Sequence, residues 1–406
     1  MQAINMRKIF DIIGRLARHE QSRLERMSHL SVGLLAGDMA SVTFLYEYSR
    51  INPDYQEVAD AALTRMLERL HSGDVIPTYC GGMVGFVIAL DTLREEGFVE
   101  DFSSQLSSID SYIAVSQAVM LRQNHHDFLH GFIGLGFYWL LRYHTDKAIS
   151  VGQLILLLKH LKVTCERTNG YVKWPQRETK WVKRYNISLS HGYSSTLILL
   201  CRMLRIPDIA HSHGDEIREL IRGVVAYILE NRIDFNTYGC WFASSSIECE
   251  LPHRSRLGWC YGDLGIAVAL REAGFSLDDV NLTALSLQVL EYAAQYRRNL
   301  TLNYVNDACV CHGAAGIGLV FREMARSTGS QLLSSAADFW LDIVLRWAVE
   351  DGESCHYNYY DVSQKCFCEG TGILEGSAGV ASYLLNEIAH SSLGKFMLMP
   401  RPHLNE

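Results

Sequence analysis

The chain has 406 residues, 48% hydrophobic and 20% charged, which is ample material for a large core. Its 37 basic and 45 acidic residues give a net charge of −8, with no long basic run, which argues against a nucleic-acid protein that works by counterion release. No stretch reaches ~18 consecutive apolar residues, so no spanning helix is expected.

Met1–Gln21 carries charges throughout and lacks the apolar core of a signal peptide. The 11 cysteines sit mostly singly within apolar segments, which reads as a reducing, cytoplasmic compartment. With 7 Pro and 31 Gly, the composition suits helices that begin and end at tight turns.

One pattern recurs along the chain: a Gly, two or more small residues, then an apolar run ending in charges. It appears as AGDMASVTFLYEY at Gly37, GGMVGFVIALDTL at Gly82, HGFIGLGFYWLLRY at Gly131 and HGYSSTLILLCRM at Gly192. It returns as YGDLGIAVALREA at Gly262, HGAAGIGLVFREMA at Gly313 and EGSAGVASYLLNEI at Gly376. Each interval holds a further amphipathic stretch, such as Val58–His71 or Ala336–Val349. The Gly-led helices are apolar nearly all round and so read as buried; the intervening ones have a polar face. Seven such pairs predict an all-α chain, a closed ring of helical hairpins with its active site at one mouth. No linker divides it, so residues 1–406 read as a single domain.

Two connections stand out. Asn169–Ser188 carries Lys173, Arg177, Lys180, Lys183 and Arg184 against one acid, Glu178; it reads as a solvated loop or as a docking edge for an acidic partner. Cys240–Arg256 is a long connection placed just before the Gly262 repeat.

Three repeats depart from the Gly-small pattern at equivalent points: Ser190-His191-Gly192, Trp259-Cys260-Tyr261-Gly262 and Cys311-His312-Gly313. In a ring, equivalent points converge. Cys260, Cys311 and His312 then make a candidate zinc set, because catalytic zinc takes thiolate and imidazole donors in three positions and keeps a fourth open. The plainer reading is of buried cysteines and a capping histidine. Cys309 could add a fourth, closing donor, and Cys366 and Cys368 form a second Cys-x-Cys pair. An open site with two thiolates is a modest Lewis acid suited to lowering the pKa of an incoming thiol from ~8.5 towards neutrality. The expected chemistry is activation of a substrate thiol for addition or alkylation.

His191 is the candidate acid–base group. Asp127 could orient it, or cap the helix that follows Gly131; the two roles are compatible. Arg256 could stabilise a developing oxyanion or enolate, or be a surface arginine.

The combination of SHG at 190–192, WCYG at 259–262 and CHGAAGIG at 311–318, set on seven Gly-rich helix pairs, resembles the lanthionine synthetase C-like proteins over essentially the whole chain. That resemblance implies an α/α toroid of seven inner and seven outer helices, a double helical barrel, with one zinc at its mouth. It implies zinc ligation by Cys260, Cys311 and His312, an acid–base role for His191, and active-site positions for Asp127, Arg256, Trp259 and Tyr261. The implied activity is Michael addition of a peptide Cys thiol to a dehydroalanine or dehydrobutyrine, giving a (methyl)lanthionine ring. Implied partners are a dehydrated precursor peptide, with a separate dehydratase and exporter. Ser195 for the second Gly of HGxxG, Leu264 for a frequent Pro, and His130 before Gly131 mark a divergent branch. Three other functions compete: coupling of glutathione to dehydroamino acids, protein prenylation on a zinc toroid, and a non-catalytic toroid that only binds a peptide. The adjacent Cys311-His312 pair argues against prenylation.

Overall fold

The computed structural model describes residues 3–70, 75–175, 185–245 and 252–400. Arg177, Glu178, Lys180, Lys183 and Arg184 of the basic connection lie outside the described residues, as does 246–251 of the second connection.

All seven Gly-led segments fold into helices: α2 (Met39–Ser49), α4 (Met83–Glu95), α6 (Phe132–Arg142), α8 (Tyr193–Met203), α10 (Asp263–Ser276), α12 (Ala314–Thr328) and α14 (Ser377–Ile388). Their apolar composition on every face fits their surroundings: each residue of α2 is buried, and α4, α8 and α10 are buried along nearly their whole length. Amphipathic helices alternate with them: α1 (Ala3–Arg26), α3 (Asp54–Leu70), α5 (Leu106–Arg122), α7 (Lys147–Thr164), α9 (Pro207–Glu230), α11 (Val280–Tyr296) and α13 (Gln331–Arg346). In α3 the buried residues are Tyr55, Ala59, Ala62, Leu63 and Met66, a single stripe at helical spacing.

The chain divides into two compact units. One comprises residues 1–101 and 300–406, the other residues 102–299. In the first, α2 packs on α3 and α12 on α13, and the last buried helix, α14, packs on the first helix, α1. Ile373 N–H donates to Leu34 O and Leu374 N–H to Leu35 O, so the loop before the last repeat is hydrogen-bonded to the loop of the first. In the second, α6 packs on α7, α8 on α9, and α10 on α11.

The glycines act chiefly on their own preceding loops. Tyr193 N–H donates to Asn186 O at 2.8 Å, folding the chain back just ahead of α8. A Cβ on Gly192 would stand 2.2 Å from that same Asn186 O, so only glycine fits. Gly262 has the further demand of a φ of +82°.

The fold is all-α as expected, with short additions and one shifted boundary. Three antiparallel hairpins interrupt the helices: β1 (Glu166–Thr168) with β2 (Tyr171–Lys173), β3 (Val349–Asp351) with β4 (Ser354–His356), and β5 (Asn358–Asp361) with β6 (Cys366–Glu369). Asn169-Gly170, both at positive φ, turns the first, and Gly352, also at positive φ, lies in the turn of the second. The amphipathic stretch read as Ala336–Val349 begins earlier and stops at Arg346, and Val349 instead opens β3. No described helix is long and apolar enough to cross a membrane.

Candidate active site

In the 102–299 unit the site is built from the loops that run into α6, α8 and α10. Asp127 lies in the first of them. Its Oδ1 accepts from His130 N–H at 2.8 Å, which closes the turn ahead of Gly131. Its Oδ2 accepts from Nδ1 of His191 at 2.6 Å. Asp127 thus ties two loops together across 64 residues of sequence. Burial alone would depress the His191 pKa, but the hydrogen bond and charge of Asp127 outweigh it and hold the imidazole above its ordinary value. Burial opposes ionisation of Asp127 too, yet the His191 hydrogen bond and charge keep its carboxyl below the usual range. Both shifts favour the carboxylate–imidazolium form of the pair. With Nδ1–H committed to Asp127, proton exchange falls to Nε2.

The loop before α8 is fastened to the loop before α10. Leu189 N–H and Ser190 N–H both donate to Cys260 O, at 3.1 and 3.3 Å. Cys260 is thereby held beside the His191 loop, and the Tyr261 ring lies 6.1 Å from that of His191. Trp259 is wholly buried. Arg256 is half-buried at the start of the loop that closes on Gly262. His130, singled out as a departure, stacks on His191 with ring centroids 6.3 Å apart.

Beneath this loop lies an ion pair that sequence patterning did not reveal. Arg297, at the end of α11, donates to Asp263 Oδ2 at 2.8 Å, and both side chains are fully buried. Asp263 Oδ1 accepts from Trp241 N–H and Phe242 N–H. Asp263 thus opens α10 while pinning the 240–242 segment. His126 was also missed. It is buried with Nε2 2.7 Å from Thr196 Oγ1, and burial pushes its pKa down to about 3, so it is a neutral structural imidazole.

In the other unit Asp307 plays the organising part. Its Oδ1 accepts from Cys309 N–H, and its Oδ2 accepts from Tyr360 N–H on β5, each at 2.9 Å. The same Oδ2 stands 3.7 Å from His312 Nε2. Cys311 N–H donates to Leu374 O, which orders the loop ahead of α12. Cys309 gathers with Asp307 and His312, the three ligand atoms lying within 4.8 Å of one another. Cys260, Cys309 and Cys311 form no disulfide.

A family model described as lanthionine synthetase C-like protein matches residues 28–398. The chain belongs to the lanthionine synthetase C-like family.

Among solved structures, this family member is similar to nisin cyclase, with a TM-score of 0.71 at 17% identity, covering 95% of this chain and 96% of that one. The likeness shows a shared fold, the α/α toroid that the repeats predict. A weaker likeness, TM-score 0.44 at 10% identity, is to an unsaturated glucuronyl hydrolase from Streptococcus agalactiae, covering 96% of this chain and 92% of that one. A search of curated proteins finds no match in sequence.

Proposed function

We propose that this lanthionine synthetase C-like protein is a zinc-dependent lanthipeptide cyclase. The observation that carries the reading is the Asp127–His191 couple, 2.6 Å apart and hydrogen-bonded through its loop to Cys260.

Cys260, Cys311 and His312 are the residues that would hold zinc. The donor set fits: two cysteine sulfurs outside any disulfide and one imidazole are the soft and borderline donors that zinc selects, and two thiolates balance its charge. Asp307, set beside His312 Nε2, supplies the carboxylate partner that zinc-binding histidines usually carry. When bound, zinc supplies a place where an incoming thiol ionises near neutral pH.

The rest falls to side chains. The substrate is a precursor peptide bearing a cysteine and a dehydroalanine or dehydrobutyrine. Its sulfur adds to Cβ, the Cα=Cβ bond gives its electron pair to the carbonyl as an enolate, and a proton returns to Cα. The thiol loses one proton and Cα gains one, so the peptide keeps its mass. His191 moves that proton through Nε2, while Asp127 fixes the imidazole and stabilises its charged form. Arg256 offers charge to the enolate oxygen. Tyr261 borders the imidazole, and Trp259 shapes the floor from within. The residues 1–406 act as a single domain in this reading. The dehydratase and exporter are partners of the same proposal, as is action in the cytoplasm.

The test pairs a dehydrated peptide with free glutathione as competing thiol source. Thioether formation within the peptide, absent in the His191→Ala protein that still holds zinc, supports the cyclase. Exclusive use of glutathione would move the function to small-thiol addition. A zinc-loaded protein that binds the peptide and forms no thioether would leave a binding toroid.

A further inference from the structure

The unit of residues 1–101 and 300–406 contains a further cluster of side chains that could hold a metal, made of residues other than the Cys and His of the repeat loops. His19 lies on α1, His356 closes β4 and Glu369 closes β6. Their ligand atoms all fall within 4.8 Å of one another. Glu369 Oε1 is 3.6 Å from His19 Nε2, and the two imidazoles stack at 25° with centroids 5.6 Å apart. His19 is 8% exposed. Nδ1 of His356 is buried without a hydrogen-bond partner among the described residues, and a buried imidazole nitrogen normally has one.

We propose that His19, His356 and Glu369 form a second zinc site, with a structural role and separate from cyclisation. Two imidazoles and one carboxylate are a donor set that zinc accepts, with water completing the tetrahedron. Glu369 is largely solvent-exposed, so the ion enters from that side while both histidines approach from within. Two imidazoles facing each other gain little from their contact, whereas a cation shared between them satisfies a nitrogen of each. The surrounding charge permits this. Arg23, the cation one turn along α1, is already paired with Glu20 and Asp38.

The elements that carry the histidines are already in register. Arg15 donates to Gly352 O and Ser354 O, and Arg18 to Glu353 O, so α1 grips the β3–β4 turn. The ligands therefore sit on a preorganised frame. Zinc here would staple the N-terminal helix to both hairpins at once, adding β5–β6 to the α1 and β3–β4 contact.

The test is zinc titration of untagged, chelator-treated protein, followed by metal analysis, with far-UV circular dichroism to verify folding. The Cys311→Ala protein is expected to keep one zinc per chain. Adding His356→Gln should remove it, and Glu369→Gln, a change on an exposed residue, should weaken it at least tenfold. Cobalt in Cys311→Ala should give visible d–d bands without the near-ultraviolet sulfur charge-transfer band. The proposal is overturned if folded Cys311→Ala binds no zinc, or binds it equally well with His356→Gln or Glu369→Gln. Failure of the cyclase reading is distinct, since it leaves zinc at the histidine cluster and no turnover.

Discussion

At the scale of single residues, the proposed chemistry turns on His191 and Asp127. Asp127 raises the imidazole pKa, so Asp127→Asn should lower it and move the alkaline limb of a kcat–pH profile to lower pH, when the imidazolium is the working form. The stability linkage has a definite sign. The raised His191 pKa contributes stability that is full below the ordinary imidazole value and lost as pH rises through the folded one. The depressed Asp127 pKa contributes stability present above the ordinary carboxylate value and lost as pH falls through the folded one. The couple is thus strongest between about pH 4 and about pH 6.5, and denaturant midpoints of Asp127→Asn against the parent should differ most there. His191→Ala should retain zinc and lose cyclisation by roughly 10²–10⁴-fold, the usual worth of a positioned acid–base group. Tyr261→Phe should cost much less, because a phenol there can only tune a hydrogen bond. His191 was legible in the sequence through its place beside a repeat glycine. Its bond to Asp127 was legible only as a possibility, since nothing in a 64-residue separation fixes which acid meets which histidine.

At the scale of elements, the loops ahead of the buried helices carry the site, and their glycines are the sensitive points. Gly192→Ala forces a Cβ into Asn186 O and so displaces His191. We expect a loss of roughly 2–4 kcal/mol by chemical denaturation, with activity falling further than stability alone explains. The Asp263–Arg297 pair is the second sensitive point. Arg297→Ala strands a buried carboxylate and should cost about 3–5 kcal/mol, whereas replacing both partners with apolar residues should cost less. The seven buried helices were readable because a glycine, small residues and an all-round apolar run coincide at each start. The hairpins were not readable from helical periodicity. Their strands are three or four residues long, too short for a period-2 pattern to stand out, although Asn169-Gly170 was a usable turn signal. The Asp263–Arg297 pair left no trace in patterning, because both residues read as ordinary helix-terminal charges.

At the scale of the whole molecule, family membership and the toroid fold follow from repetition, which survives even at 17% identity to nisin cyclase. Repeats preserve where glycines and apolar faces fall, while the chemistry rests on a few residues at loop positions. Zinc held by those loops, as proposed, would also couple to folding. Chelation is expected to lower the thermal midpoint, and added zinc to restore it, with Cys311→Ala showing a smaller response than the parent. Cysteine reactivity should divide along the same lines. Cys366 is exposed, while burial pushes Cys201 up to about 12, so iodoacetamide should label Cys366 first and leave Cys201 untouched until unfolding.

The most direct measurement follows a dehydrated, cysteine-containing peptide through incubation with the zinc-loaded protein and then through thiol alkylation and mass spectrometry. Ring formation leaves the peptide mass unchanged, so the alkylation tag is the readout. The account predicts that the peptide escapes alkylation after treatment with the parent protein and is fully alkylated after treatment with His191→Ala. A peptide that remains fully alkylated with the zinc-loaded parent would contradict it.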